Sequence, residues 1–324
     1  MAEIPTVQGP MDSSELGVTL VHEHLCFRAP ERWQQKAVDY QVELAQAAVD
    51  IGINTMVDLT PVPDVARIIE LNERVPGLNL ILATGAYIEG AEWTAAVRGL
   101  SEDEMVERMI KNLTEGYDGF EDTGIRAGII KVASSNPELS EWEKKNFRAA
   151  ARVQQEVPVP IAFHSCAGCR AQMEYVREHG AEIGATFYSH IEAEFGWEGR
   201  SLQEEARYLE DVTRAGGYLQ FNNFDFEFDT PFEDMLYLIN YFEENGYGDK
   251  VFISIDANWN FDEEGRAWHE AEKEHPETAK RTYAYAMTHA VPMLLSAGVS
   301  LQRINTYLIE NPRRLFEALD ACTA

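Results

Sequence analysis

His22, Glu23 and His24 stand together at the end of a short apolar run, GVTLVH (17–22), in a chain of 324 residues. Residues two apart in a strand share a face, so the two imidazoles would point one way and Glu23 the other. Two neutral nitrogens converging from one strand make half of a metal site, because imidazole suits borderline divalent ions. The same spacing also fits two histidines hydrogen-bonded at a strand end. Further ligand-type residues close other apolar runs: Lys131 in IRAGIIKV (125–132), His164 in VPIAFHS (159–165), His190 in GATFYSH (184–190) and Asp256 in KVFISID (250–256). The other histidines, His179, His269, His275 and His289, fall in segments that read as helix or loop, where packing or surface roles are expected. A protonated lysine, with a reference pKa near ~10.4, cannot ligate a cation. Lys131 therefore either leaves the strand end for water or, carbamylated by CO2, becomes a carboxylate able to bridge two metal ions.

These groups need a frame that gathers strand ends. Three more β-rich runs, INTMVDLT (53–60), LNLILATGAY (78–87) and GYLQFNN (217–223), bring the number of predicted strands to eight. Between them lie segments such as SEWEKKNFRAAARVQQEV and SLQEEARYLEDVTRAGG, with apolar residues at helical steps of three and four. Several end at a glycine, as at Gly52, Gly180, Gly216 and Gly246, which matches the preference for glycine just past a helix end. Strands separated by helices require parallel crossovers, and about 40 residues per unit is the arithmetic of a closed (β/α)8 TIM barrel. The expected fold is thus α/β, one barrel domain over residues 1–324. The candidate residues then fall at the C-terminal ends of strands one, four, five, six and eight, the face where barrel enzymes build their sites. An open doubly wound sheet is the alternative, but no GxGxxG follows the first strand. Residues 257–280, with Trp259, Phe261 and Trp268, read either as a lid over the site or as a solvated loop-helix with packed tryptophans.

The balance of 55 acidic against 27 basic residues gives a net charge of −28. Such a surface repels nucleic acid and anionic membranes, so the expected partner is a small molecule or another subunit. With no basic, apolar leader and no run long enough to cross a membrane, a cytoplasmic location is expected. The 4 cysteines are too few and too unevenly spaced for a disulfide framework, and reduced thiols follow. Cys166 and Cys169 form a single CxxC, read as two small buried thiols because neither a second CxxC nor a thioredoxin context accompanies it.

Taken in order, LGVTLVHEHL (16–25), VDLT (57–60), ATGAY (83–87), Lys131, FHS (163–165), SH (189–190), SID (254–256) and ENPRRLF (310–316) resemble the phosphotriesterase family of the amidohydrolase superfamily, which includes phosphotriesterase-like lactonases. The resemblance spans nearly the whole chain. It implies that His22, His24 and Asp256 hold one divalent ion and His164 and His190 a second. Carbamylated Lys131 would bridge the two together with a hydroxide. The family carries zinc, with other divalent ions able to substitute. Two cations sharing one water lower its pKa, so hydroxide is available at neutral pH, and Asp256 could accept its proton. Tyr87 stands where lactonases place a tyrosine against the metal-bound water or substrate; packing on Trp93 at the rim is the other role open to it. A homodimer is also implied.

One departure bears on substrate. The lactonases carry an Asp-Arg pair after strand seven, whereas LQFNNFDFEFD (219–229) has no arginine and offers Asn222, Asn223 and Phe224 instead. Trp197, Phe224 and Trp259 are the expected limits of the pocket. The reading is a binuclear metal hydrolase that opens a lactone or related ester, with phosphotriesterase activity as a side reaction. Hydrolysis of an N-acyl amide, with Glu192 as an acid, and a non-catalytic binding protein on the same scaffold are the alternatives.

Overall fold

A computed structural model describes residues 2–25, 27–165, 168–194, 199–224, 230–269, 276 and 281–319. Eight strands run parallel in sequence order: β1 (Thr19–Glu23), β2 (Thr55–Asp58), β3 (Asn79–Gly85), β4 (Ala127–Ala133), β5 (Ile161–His164), β6 (Thr186–Ser189), β7 (Tyr218–Phe221) and β8 (Val251–Ile253). Each predicted run coincides with one of them, mostly trimmed, although β1 and β4 run one residue past the predicted ends at Glu23 and Ala133. Helices α1 (Gln34–Asp50), α2 (Val65–Arg74), α3 (Glu102–Thr114), α4 (Glu141–Glu156), α5 (Cys169–Glu178), α6 (Leu202–Arg214) and α7 (Phe232–Glu244) fill the crossovers. Three of them start from the same S-x-x-E box, in which Ser101, Ser140 or Ser201 and the glutamate three residues on exchange hydrogen bonds.

Alternation along the strands sorts the core into two shells. Leu80, Leu82, Ile130, Phe163 and Leu219 face outward onto the helices. Ile81, Ala83, Ile129, Ala162, Phe187, Tyr218 and Phe252 fill the barrel interior, together with Ile4 and Met11 from an N-terminal hairpin and Phe316 from the C-terminal helix α8 (Asn311–Glu317). The sequence alone did not lead us to expect that hairpin. A second ribbon, β9 (Trp259–Phe261) against β10 (Ala267–His269), occupies the described part of the segment expected to be a lid or loop-helix. Trp259 and Phe261 are buried and meet the edge of Tyr40 on α1, so both belong to packing. His269 lies in a strand, not in a helix or loop.

The barrel closes between β1 and β8 largely through one side chain. Main-chain bonds run from Asp256 N to His22 O (3.0 Å) and from His24 N to Ala257 O (3.1 Å). Glu23, fully buried, accepts from Ser254 Oγ (2.8 Å), Ile255 N (2.9 Å) and Ala257 N (2.8 Å). Burial pushes this carboxyl up to about 8, while the bonds from Ala257 and Ile255 oppose the rise. The register of β1 against β2 slips between Leu20 and Glu23. That irregularity lets Val21 pack in the interior cluster while its neighbour His22 still reaches the barrel mouth.

At β3, Gly85 sits at φ +133, and an added Cβ would collide with the carbonyl oxygen of Lys131. Gly85→Ala is expected to cost about 1–3 kcal/mol of stability, measured by urea unfolding, because both the dihedral and the contact resist a side chain. Glu23→Gln should cost a similar ~1–3 kcal/mol, since an amide nitrogen cannot accept from the buried donors that both carboxyl oxygens now serve.

Candidate metal centre

Two residues beyond Ile129, Ala162, Phe187, Tyr218 and Phe252 stand Lys131, His164, Ser189, Gln220 and Ser254. The period of two carries this second set to the same inner face, one layer nearer the C-terminal mouth. Lys131 is not the last residue of its strand, as β4 runs on through Val132 and Ala133. It is fully buried, which excludes the expectation that it leaves for water. His190 and Asp256 lie just past β6 and β8 with φ of 41 and 57, the left-handed region that non-glycine residues rarely occupy outside functional sites. Bonds on their amides fix these turns: His190 N donates to Gln220 Oε1 (3.1 Å) and Asp256 N to His22 O.

The structure brings His22, His24, Lys131, His164, His190 and Asp256 toward this mouth. Asp256 Oδ1 lies 3.4 Å from His22 Nε2 and 3.2 Å from His24 Nε2. One donor atom from each of the three falls within 4.8 Å of the others. His190 Nε2 lies 2.7 Å from His164 Nδ1, and the His190 ring centroid is 5.9 Å from that of His22, which places the second pair beside the first group. Gln220 explains how His22 is oriented. Its amide nitrogen donates to Asn222 Oδ1 (3.1 Å), so its Oε1, 3.1 Å from His22 Nδ1, accepts there. The proton of His22 is thereby on Nδ1 and its lone pair on Nε2 faces a carboxylate oxygen. Acceptor opposite acceptor is unfavourable by itself and is resolved by a cation between them. The donor set, imidazole nitrogens with one carboxylate, fits a borderline divalent metal ion.

Electrostatics keep the donors in ligating form. Burial holds His22 and His164 well below the ordinary histidine range, assisted by Lys131, with His190 adding to the effect at His164. Burial brings His190 down to about 4, Asp256 opposing. These three rings are neutral at pH 7. Burial works against ionisation of Asp256, yet its carboxyl lies well below the usual carboxylate range, a hydrogen bond from His24 favouring the charged form.

Above the cluster opens a cavity of about 600 Å³, with His24, Tyr87, His164 and Asp256 at its base and Arg28, Trp93 and Asn258 among its wall residues. Tyr87 packs on Trp93 as expected of a rim residue, the ring centroids 5.4 Å apart, and its hydroxyl lies 3.0 Å from His164 Nε2. The expected pocket limits are corrected. Phe224 and Trp259 are core residues that do not line this cavity, and Trp197 lies outside the described residues. Glu192 is also fully buried, its Oε1 accepting from Asn222 N (2.7 Å) and Asn223 N (2.6 Å), which makes it a support for the loop after β7. An arginine does reach the end of β7, from 59 residues downstream: buried Arg281 donates through Nη2 to the carbonyls of Asn222 and Ile255. Cys169 is buried at the start of α5, while Cys166 and His275 lie outside the described residues. His179 caps onto Tyr175 O and His289 stacks on Tyr285, remote from the cluster. Sequence reasoning missed Arg28, Asn258, Arg281 and the closing role of Glu23, since none carries a local motif. Among the described residues no helix is long and apolar enough to cross a membrane.

Comparison with known proteins agrees with this geometry. The sequence pattern of the phosphotriesterase family matches residues 2–316. A Mycobacterium tuberculosis protein named phosphotriesterase homology protein is 30% identical, the match covering 98% of each chain. The crystal structure of a mutant Deinococcus radiodurans PTE-like lactonase superposes with a TM-score of 0.80 at 29% identity, covering 97% of this chain and 99% of its own. The N-acetyltaurine hydrolase of Rattus norvegicus is 25% identical, covering 96% of this chain and 97% of its own. The chain belongs to the phosphotriesterase family, and with it to the metal-dependent hydrolases.

Proposed function

We propose that the protein is a binuclear metal hydrolase that opens a lactone or a related ester, with weak action on phosphotriesters. The observation that carries this reading is the convergence of His22, His24 and Asp256 within 4.8 Å beside the His164–His190 pair, over a fully buried Lys131. His22, His24 and Asp256 would hold one divalent ion, His164 and His190 the other, and Lys131, carbamylated by CO2 with loss of a proton, would span both. Zinc suits this donor set. Two such ions would supply Lewis acidity and activate a water at neutral pH.

The chain's own groups do the rest. Asp256, ionised and 24% exposed toward the cavity, can take a proton on its carboxylate during attack. Tyr87 presents its hydroxyl at the cavity base, where it can donate to the acyl oxygen. Trp93 and Ile88 give an apolar wall, and the volume fits a small ester. The same reading has residues 1–324 act as one unit on a small molecule, as a cytoplasmic homodimer without nucleic-acid or membrane partners. A second reading, hydrolysis of an N-acyl amide, draws support from the relatives named N-acetyltaurine hydrolase. With every donor position filled, a purely binding role has less support.

Metal analysis of the purified protein is expected to find about two divalent ions per chain. A panel of lactones, aryl esters, phosphotriesters and N-acyl amino acids should then show lactones turned over fastest. Bound metal without turnover of any member would favour the binding role, and N-acyl amino acids turned over fastest would favour the amide reading. Asp256→Asn should keep the circular-dichroism spectrum and lose about 10²–10⁴-fold in kcat/KM; a fully active variant would contradict the role given to Asp256. Incubation with ¹³C-labelled bicarbonate should yield a lysine carbamate signal by NMR that Lys131→Ala lacks.

A further inference from the structure

Arg28 follows His24 by four residues and is anchored where Phe261 N donates to its carbonyl oxygen (2.8 Å). Its guanidinium lies 4.5 Å over the ring of Trp93. That indole in turn packs on His24 (4.8 Å) and Tyr87 (5.4 Å), so the cation is set against the wall of the cavity above the donor cluster. Stacking fixes the plane of the guanidinium without neutralising it. Its Nη2 is closed off from solvent yet has no hydrogen-bond acceptor, and the guanidinium forms no ion pair with any described residue.

Among the described residues, the nearby carboxylates account for this. Asp262 is paired with Arg266 (3.2 Å) and Glu263 with Arg32 (2.8 Å). Asp256 faces His22 and His24, and Glu92 is exposed at the rim. In a chain of net charge −28, a pocket cation without a partner among the described residues is the exception, and buried donors are ordinarily satisfied. A planar, oriented guanidinium matches a carboxylate through two parallel hydrogen bonds.

We infer that the substrate carries a carboxylate in addition to its scissile acyl group, and that Arg28 is the residue that binds it. This deepens the hydrolase reading and rests on it for the scissile bond. Arg28 positions the substrate through its charged end, while the bond to be broken lies over the cluster. An anion that the overall field repels is thus admitted by one local charge, and neutral analogues forgo that contact.

The test uses matched substrates: a lactone or aryl ester bearing a carboxylate, and the same compound with that group as a primary amide. Wild-type protein should prefer the charged member by roughly tenfold or more in kcat/KM, mostly through KM, and less so at high salt. Arg28→Met, which keeps an unbranched chain over Trp93, should abolish the preference, and Arg28→Lys should restore part of it. Equal rates for both members in the wild type, or an unchanged preference in Arg28→Met, would overturn the proposal. Calorimetric titration with glutarate, which needs no turnover, separates the two readings. Binding weakened about tenfold or more in Arg28→Met with no hydrolysis of any ester would leave the carboxylate site standing and remove the hydrolase reading. Equal binding by both proteins would remove the carboxylate site and leave the hydrolase reading untouched.

Discussion

The Glu23 carboxylate is the constraint on which the rest of the molecule depends. A barrel of eight parallel strands must join its first strand to its last, and here that seam combines two main-chain bonds with three donors from residues 254–257 converging on one buried acid. The same bonds set the course of the chain through Asp256, whose left-handed backbone would otherwise relax. Closure of the fold and placement of the carboxylate that faces His22 and His24 are therefore one event. Loosening the seam would cost stability and disturb the donor geometry together.

A second constraint is electrostatic. The molecule is strongly acidic, yet the centre of its mouth is built from uncharged imidazoles grouped about a buried lysine, with one carboxylate beside them. Low dielectric surroundings disfavour imidazolium and leave nitrogen lone pairs directed at one another and at Asp256. Gln220 contributes by binding two site groups at once, the ring of His22 and the amide of His190, and is itself tied through Asn222 to Glu192. The cluster is thus held by contacts behind it that do not require a bound ion to exist.

Much of this was legible in the residues. Short apolar, β-rich runs located all eight strands, helical periodicity their crossovers, and HEH with the later strand-end residues located the cluster, because those features depend on near neighbours in sequence. Gly52 and Gly216 adopt positive φ (96 and 106), as their positions after helices foretell. The failures share one cause. Trp259 and Phe224 look like pocket walls by their polar surroundings in sequence, but their burial is decided by Tyr40 and by distant core residues. Arg28 and Arg281 reach the mouth from loops whose paths no local pattern encodes. Glu23 was assigned only a direction away from the two histidines; that it meets residues from the far end of the chain depends on ring closure.

The division between strands and loops has an evolutionary consequence. Every proposed ion-holding residue rides on a strand or within three residues of its end, whereas Arg28, Ile88 and Trp93 are carried by segments that bear little of the scaffold's load. Selection can therefore rewrite the cavity's outer wall without paying in foldedness or in the reactive centre. Relatives of about one-quarter to one-third identity can then diverge in what they consume while keeping one reaction engine, and loop exchange among them is a natural way to redirect it.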